Sequence, residues 1–186
     1  VMCMIFLGGY RLVFPRHPWR GKRIIIMCIF RYASLDDYSA VSEMKNELHS
    51  NHAKAEPGFY RSVEKAISRD EFSKLIEKKK IFVLENENKI VGYAQVNELI
   101  VKNDPLVFDQ KILFIDDFMI DSGEKGKGHG QEIFDQVMKY GKNNGFTSIE
   151  LNVWDFNEVG KRFYEKMGMK KTRIRKIGRA SCRERV

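Results

Sequence analysis

The sequence predicts a single α/β (α+β) domain in which strands and helices alternate around one mixed sheet. Its 186 residues fit one domain of about 100 to 200 residues. The 43% hydrophobic content is that of an ordinary globular chain. Between residues 24 and 176 the hydrophobic period switches repeatedly between strand-like runs and helical spacing.

The elements follow in order. Ile24 to Phe30 is apolar and β-branched and reads as a buried strand. Ser34 then caps an amphipathic helix in which Leu35, Tyr38, Val41, Met44 and Leu48 recur near helical spacing until about His52, before the break at Pro57-Gly58. A second helix covers Ser68 or Arg69 to Lys79, with Phe72, Leu75 and Ile76 as its apolar stripe. Ile81 to Leu84 and Ile90 to Ile100, joined by a turn around Asn86 to Asn88, form an antiparallel hairpin, and Lys111 to Ile120 adds a strand. The glycine-rich loop Ser122 to Gly130 leads into a helix over Gln131 to Asn143, stopped at Gly145. Ser148 to Trp154 is a strand, Asn157 to Met167 a helix ended by Gly168, and Lys170 to Lys176 a last β-like stretch.

Both ends are expected to lie outside the domain. Residues 1–26 are interrupted by Gly8-Gly9, Pro15, Pro18 and Gly21 and read as an extension, with Met27 as a plausible start. Residues 177–186 have no hydrophobic period and resemble one reading frame of a sequencing-library adapter. In residues 1–26 the apolar run Met2 to Leu7 precedes the basic residues, the reverse of a secretory signal, and no apolar run reaches the 18 or so residues of a membrane span.

The two ends carry +7 of the formal charge of +8, so residues 27–176 stand near +1. A near-neutral body gives no electrostatic reason to expect nucleic acid as a partner. Cys28 is the only cysteine of that body, which builds neither a disulfide framework nor a zinc site and fits a reducing cytoplasm. His49 and His52 lie one helical turn apart without a third ligand, so no metal is expected.

Lys125-Gly-Lys-Gly-His-Gly130 sits between a strand and a helix, where glycines let backbone amides approach phosphate oxygens and the helix N-terminus adds its own N–H groups. No Gly-Lys-Ser/Thr opens the helix and no Gly-x-Gly-x-x-Gly is present, so neither a Walker loop nor a dinucleotide fingerprint fits. By composition alone a solvated turn explains the loop as well as a phosphate site does.

Taken together, Phe118-Met-Ile-Asp-Ser-Gly-Glu-Lys-Gly-Lys-Gly-His-Gly130, Leu151-Asn-Val-Trp-Asp-Phe-Asn157 and Phe163-Tyr-Glu-Lys-Met-Gly168 resemble, in order and spacing, the pyrophosphate loop, later strand and later helix of the GNAT superfamily of N-acetyltransferases. The resemblance covers most of residues 24–176. It departs at Lys125, where the family has Arg or Gln, at Gly160, where Ala is usual, and at Met169, where Phe often follows.

The resemblance implies a mixed, mostly antiparallel twisted sheet flanked by helices, with the family's last strand missing after Lys176. It also implies acetyl-CoA as cosubstrate, held by Phe118, Met119, Ile120, Lys125, Gly126, Lys127, Gly128, His129, Gly130 and Asn157. Tyr164 is the implied general acid. Asp116 and Asp117 are candidates for the base that an amine nucleophile needs, and His49, His52, Phe59 and Tyr60 are substrate-side candidates. His129 is expected to be a loop residue that tolerates substitution. The expected activity is acetyl transfer to a primary amine of a small molecule or protein, in a monomer or homodimer. The alternative is a non-catalytic acyl-CoA-binding regulatory module.

Overall fold

The computed structural model describes residues 9–13 and 28–176. Seven strands form one sheet in the order β2-β3-β4-β5-β6-β1-β7. In chain order they are β1 (Tyr10–Val13), β2 (Ile29–Tyr32), β3 (Ile81–Asn86), β4 (Lys89–Val101), β5 (Gln110–Ile120), β6 (Ser148–Leu151) and β7 (Lys170–Lys171). All neighbours are antiparallel except β5 and β6. The helices are α1 (Tyr38–Ala55), α2 (Arg69–Glu77), α3 (His129–Asn143) and α4 (Glu158–Lys166). The mixed, mostly antiparallel sheet flanked by helices is the fold class the sequence predicts.

Alternation along the strands builds a core on each face of the sheet. Val41, Met44, Phe72, Ile81, Val83, Tyr93 and Met119 pack together under α1 and α2. On the opposite face Phe82, Leu84, Leu113, Ile115, Phe134, Ile149, Leu151 and Tyr164 pack under α3 and α4. The β3–β4 turn places Glu87 and Asn88 at φ +50° and +62°, the left-handed pair that a tight hairpin requires.

The helix starts are set by local polar groups. Ser34 donates its backbone N–H to the Asp37 carboxylate at 2.7 Å, and a single 3₁₀ turn over Leu35–Asp37 precedes α1. At α2, Ser68 and Glu71 close a capping box, with Glu71 N–H donating to Ser68 Oγ at 3.2 Å and Ser68 N–H to Glu71 Oε2 at 2.9 Å.

Two expectations differ. Residues 10–13, inside the stretch expected to lie outside the domain, form β1 between β6 and β7, with Tyr10 opposite both Leu151 and Lys171. Tyr10 is 3% exposed and its hydroxyl donates to Glu165 at 3.4 Å, while Arg11 pairs with Glu150 at 3.1 Å. Four residues are too short for a hydrophobic period to register, and their apolar partners lie at the other end of the chain. The expected strand over Lys170 to Lys176 shortens to Lys170–Lys171. Residues 24–27, the rest of 1–26 and 177–186 lie outside the described residues.

Candidate functional site

The parallel contact between β5 and β6 runs only from Ile112↔Ser148 to Ile115↔Leu151. There β6 ends, while β5 continues to Ile120 and stays paired on its other edge with β4 up to Gly92. Beyond Ile115 the two strands therefore part, and the β5 edge over residues 116–120 faces the gap. A register shift opposite Gln95/Val96 gives β5 one extra residue, Asp116, which bulges between the paired Ile115 and Asp117. Phe118 and Ile120 consequently pack toward α3 and α4, whereas Met119 joins the core under α1.

The glycine-rich loop closes one end of this gap. Gly126 and Gly128 have φ +82° and +94°, and a Cβ on Gly126 would meet nothing within 4 Å, so backbone conformation rather than crowding selects glycine there. Gly128 is the N-cap of α3 and brings no side chain to its first amides, which leaves them to an anion. Lys125 and Lys127 are 55% and 56% exposed beside them; Lys125 Nζ lies 3.3 Å from Glu47 and Lys127 Nζ 2.9 Å from Glu124. The cradle fits a pyrophosphate, with both ammonium groups lightly held.

His129 is a correction. It is 3% exposed, with Nδ1 3.7 Å from Cys28 Sγ and Nε2 3.3 Å from Glu124, so it is a packed residue of the first α3 turn rather than a tolerant loop position. Gly130 packs beside Phe163, 3.5 Å from where its Cβ would stand.

Tyr164 stands at the other lip. It is 9% exposed, with the rings of Phe118, Phe134, Phe163 and Tyr10 at 6.3, 6.3, 5.2 and 6.3 Å. Burial, helped by the charge of Asp117, pushes its phenol well above the ordinary value, so it stays protonated at neutral pH. Asn157 caps α4, its Oδ1 accepting from Gly160 N–H at 2.8 Å. A Cβ on Gly160 would lie 2.7 Å from Asn157 Nδ2, which explains glycine where the resemblance has alanine.

Across the gap Asp117 is ion-paired to Lys45 of α1, which also donates to Gln95 at 3.1 Å. Asp116 accepts from Asn97 Nδ2. Desolvation, and then the charge of Asp117, raise the Asp116 carboxyl. Lys45 carried no signal in the sequence, because one lysine on a helix is ordinary surface chemistry.

The substrate-side candidates also meet. His52 stacks on Tyr60 at 5.3 Å, His49 meets it edge-on at 5.8 Å, and Phe59 lies 5.0 Å away. Sequence reasoning missed Trp154 and Phe156, which join the same cluster; the run Trp154-Asp-Phe156 stood in plain view, but as a motif rather than as side chains. Among the described residues no group of three or more His, Cys, Asp or Glu is placed to hold a metal ion, and no helix is long and apolar enough to cross a membrane.

Comparison with known proteins places the chain in a family. Residues 43–169 match the acetyltransferase (GNAT) family. The chain is similar to a crystal structure of a mutant BH1408 protein from Bacillus halodurans, at 28% identity and TM-score 0.79 over 82% of this chain and 99% of that one. A tetramutant of the same protein aligns at 30% identity and TM-score 0.75, over 81% and 99% of the two chains. A predicted acetyltransferase with acetyl-CoA from Clostridium acetobutylicum shares the fold at 16% identity and TM-score 0.56, over 78% and 92%. No curated protein matches. With a family match over residues 43–169, most of its length, the chain belongs to the GNAT acetyltransferase family.

Proposed function

We propose that this protein transfers an acetyl group from acetyl-CoA to a primary amine by direct attack while both are bound. The observation that carries the reading is the free β5 edge at Asp116–Ile120, which runs between the uncapped α3 N-terminus and Tyr164. Acetyl-CoA supplies the activated thioester. The α3 amides with Lys125 and Lys127 hold its pyrophosphate, and the backbone groups of Phe118 to Ile120 that face away from β4 hydrogen-bond its pantetheine arm. Asn157 fixes the start of α4 on the same side of the cleft.

Positioning is the main contribution, because two reactants held in attack geometry lose much of the entropic barrier. The backbone N–H of Ile120, next to Met119 and on the edge that β4 leaves free, donates to the carbonyl oxygen as negative charge develops there. Asp117, directly or through water, accepts the proton from the incoming ammonium, which competes with Lys45 for this carboxylate. Asp116, with its raised carboxyl, is the second base candidate. Tyr164 donates its O–H toward the departing thiolate. Because its phenol is held well above the ordinary value, hydrogen-bond donation contributes more than complete proton transfer.

The test is thermal unfolding of the full chain with and without acetyl-CoA, followed by an amine screen. At 100 times Kd the ligand adds about 2.7 kcal/mol. Gly128→Glu, which puts a carboxylate and a strained φ into the cradle, removes the shift. Tyr164→Phe retains the shift and lowers turnover about 100-fold at saturating acetyl-CoA. A shift without acetylation of any amine favours the binding-module alternative, and no shift from folded protein sinks the reading.

A further inference from the structure

We infer that the acceptor of this transferase is a primary amine carried on an aromatic or similarly flat apolar group, seated against the ring cluster His49–His52–Phe59–Tyr60–Trp154–Phe156. The inference rests on the proposed acetyl transfer and adds the class of its acceptor.

The cluster is placed where an acceptor must come. Lys45, His49 and His52 are spaced i, i+4 and i+7 on α1 and therefore share one face. Lys45 binds Asp117, so the histidines continue that face past the carboxylate, and the charge of Asp117 is felt at His52. Trp154 and Phe156 follow directly on the end of β6, the strand whose departure from β5 opens the gap. Phe59 and Tyr60 bridge the two sides, with Phe59 5.2 Å and Tyr60 5.6 Å from Trp154.

The chemistry of the cluster is apolar because its polar atoms are taken up internally. Trp154 Nε1–H donates to Tyr60 Oη at 2.9 Å, and His49 Nε2 lies 2.8 Å from the Arg61 carbonyl. Burial, with His49 adding to it, holds the His52 imidazole below its ordinary value, so this ring is neutral at pH 7. Of the nearby carboxylates, Asp117 pairs with Lys45, Asp155 and Glu158 share Lys161, and Asp116 accepts from Asn97. A polyamine would need a row of free acids here, and a phosphorylated sugar a free cation pair. Asp117, Asp155 and Glu158, each beside a lysine, do not make such a row of acids.

What is offered is aromatic surface. Phe59 is 58% exposed and Phe156 40% exposed, whereas the rings of the two cores are buried. Rings of this kind gain by covering a ligand ring in offset or edge-on geometry, and their faces tolerate an ammonium beside them. A flat group laid on Phe59, Trp154 and Phe156 leaves its amine to reach toward Asp117. The same chemistry can come from a free arylalkylamine or from a peptide that begins with an aromatic residue.

Initial rates with 2-phenylethylamine, the peptide Phe-Gly-Gly, spermidine and glucosamine 6-phosphate test this, using the full chain and saturating acetyl-CoA. The expected result is a kcat/KM at least about tenfold higher for one or both aromatic amines than for spermidine or the sugar; the better of the two identifies the source. Phe59→Ala, at an exposed ring whose loss leaves the fold intact, raises KM for that amine about tenfold. It changes kcat little and leaves the acetyl-CoA thermal shift unaltered. Equal or better turnover of spermidine or the sugar overturns the inference, as does an unchanged KM in Phe59→Ala or a retained cofactor shift with neither aromatic amine acetylated. Loss of the cofactor shift itself in the unmodified chain is the separate failure of the underlying acetyl-transfer reading.

Discussion

The two halves of the sheet are built differently, and the candidate site lies on the seam between them. Strands β2 to β5 are consecutive in sequence and lie side by side, with β4 and β5 paired from Gly92↔Ile120 to Val101↔Gln110. The other half, β6-β1-β7, takes four residues from each of β6 and β1 and two from β7, and its central strand comes from the opposite end of the chain. The first half carries Asp117 and the open β5 edge. The second supports α4 and Tyr164, through Tyr10 against the Tyr164 ring and Glu165. The proposed proton acceptor, Asp117, thus stands on the locally assembled half and the proposed proton donor, Tyr164, on the half assembled at long range.

The sharpest way to break this comparison is at Tyr10. Truncating a side chain that is 3% exposed removes its buried apolar area and leaves a cavity between β6, β7 and α4. Tyr10→Ala is expected to lower stability by about 3 kcal/mol in urea unfolding. Tyr10→Phe keeps the ring and gives up only the 3.4 Å hydrogen bond to Glu165, a loss of about 1 kcal/mol or less. If Tyr10→Ala unfolds like the unsubstituted chain, β1 does not share the cooperative unit, and the second half of the sheet is held by β6 and α4 alone.

The same contrast explains what could be read in advance. The hairpin, the strand before the glycine-rich loop and the helices announce themselves locally, because each carries its own hydrophobic period. Asn157 and Tyr164 were readable through their spacing and motif. Strand β1 was not, since Tyr10 to Val13 acquires its meaning only beside Leu151 and Lys171. Lys45 and Trp154 were missed for a related reason: one pairs across an α1–β5 contact and the other bonds Tyr60 from a distant loop. His129 misled because a glycine-rich neighbourhood suggests solvent, whereas burial is decided by α3 docking on the sheet.

On the locally assembled half the corresponding test is Asp37. Burial alone would raise its carboxyl, but the Arg31 guanidinium at 2.7 and 2.9 Å and the Ser34 N–H outweigh it and hold the group below its ordinary value. A carboxyl depressed in the folded state contributes its full stability above the unfolded value, near 4, and loses it as pH falls through the folded value. Asp37→Asn is therefore expected to cost about 2 kcal/mol at pH 7, discounted for the 34% exposure of the Arg31 side chain. The cost should shrink below about pH 4. Unfolding free energies of both proteins between pH 7 and 3 check the sign; a difference that stays constant across that range would mean the ion pair does not act through this carboxyl.

The smallest effect is expected at Gly160, where two physical terms oppose each other. Alanine in a helix is worth about 1 kcal/mol over glycine. Against this, the new Cβ would lie 2.7 to 3.0 Å from the Asn157 amide group, so that side chain must swing aside and its 2.8 Å bond to the residue 160 N–H is lost. Losing an N-cap costs about 1 kcal/mol. Gly160→Ala should therefore leave the melting temperature within about 2 °C while weakening acetyl-CoA binding, if Asn157 is held for the cofactor as well as for the helix. A full gain of about 1 kcal/mol with unchanged cofactor affinity would show that the cap is dispensable and that the long-range half of the sheet does not depend on where α4 begins.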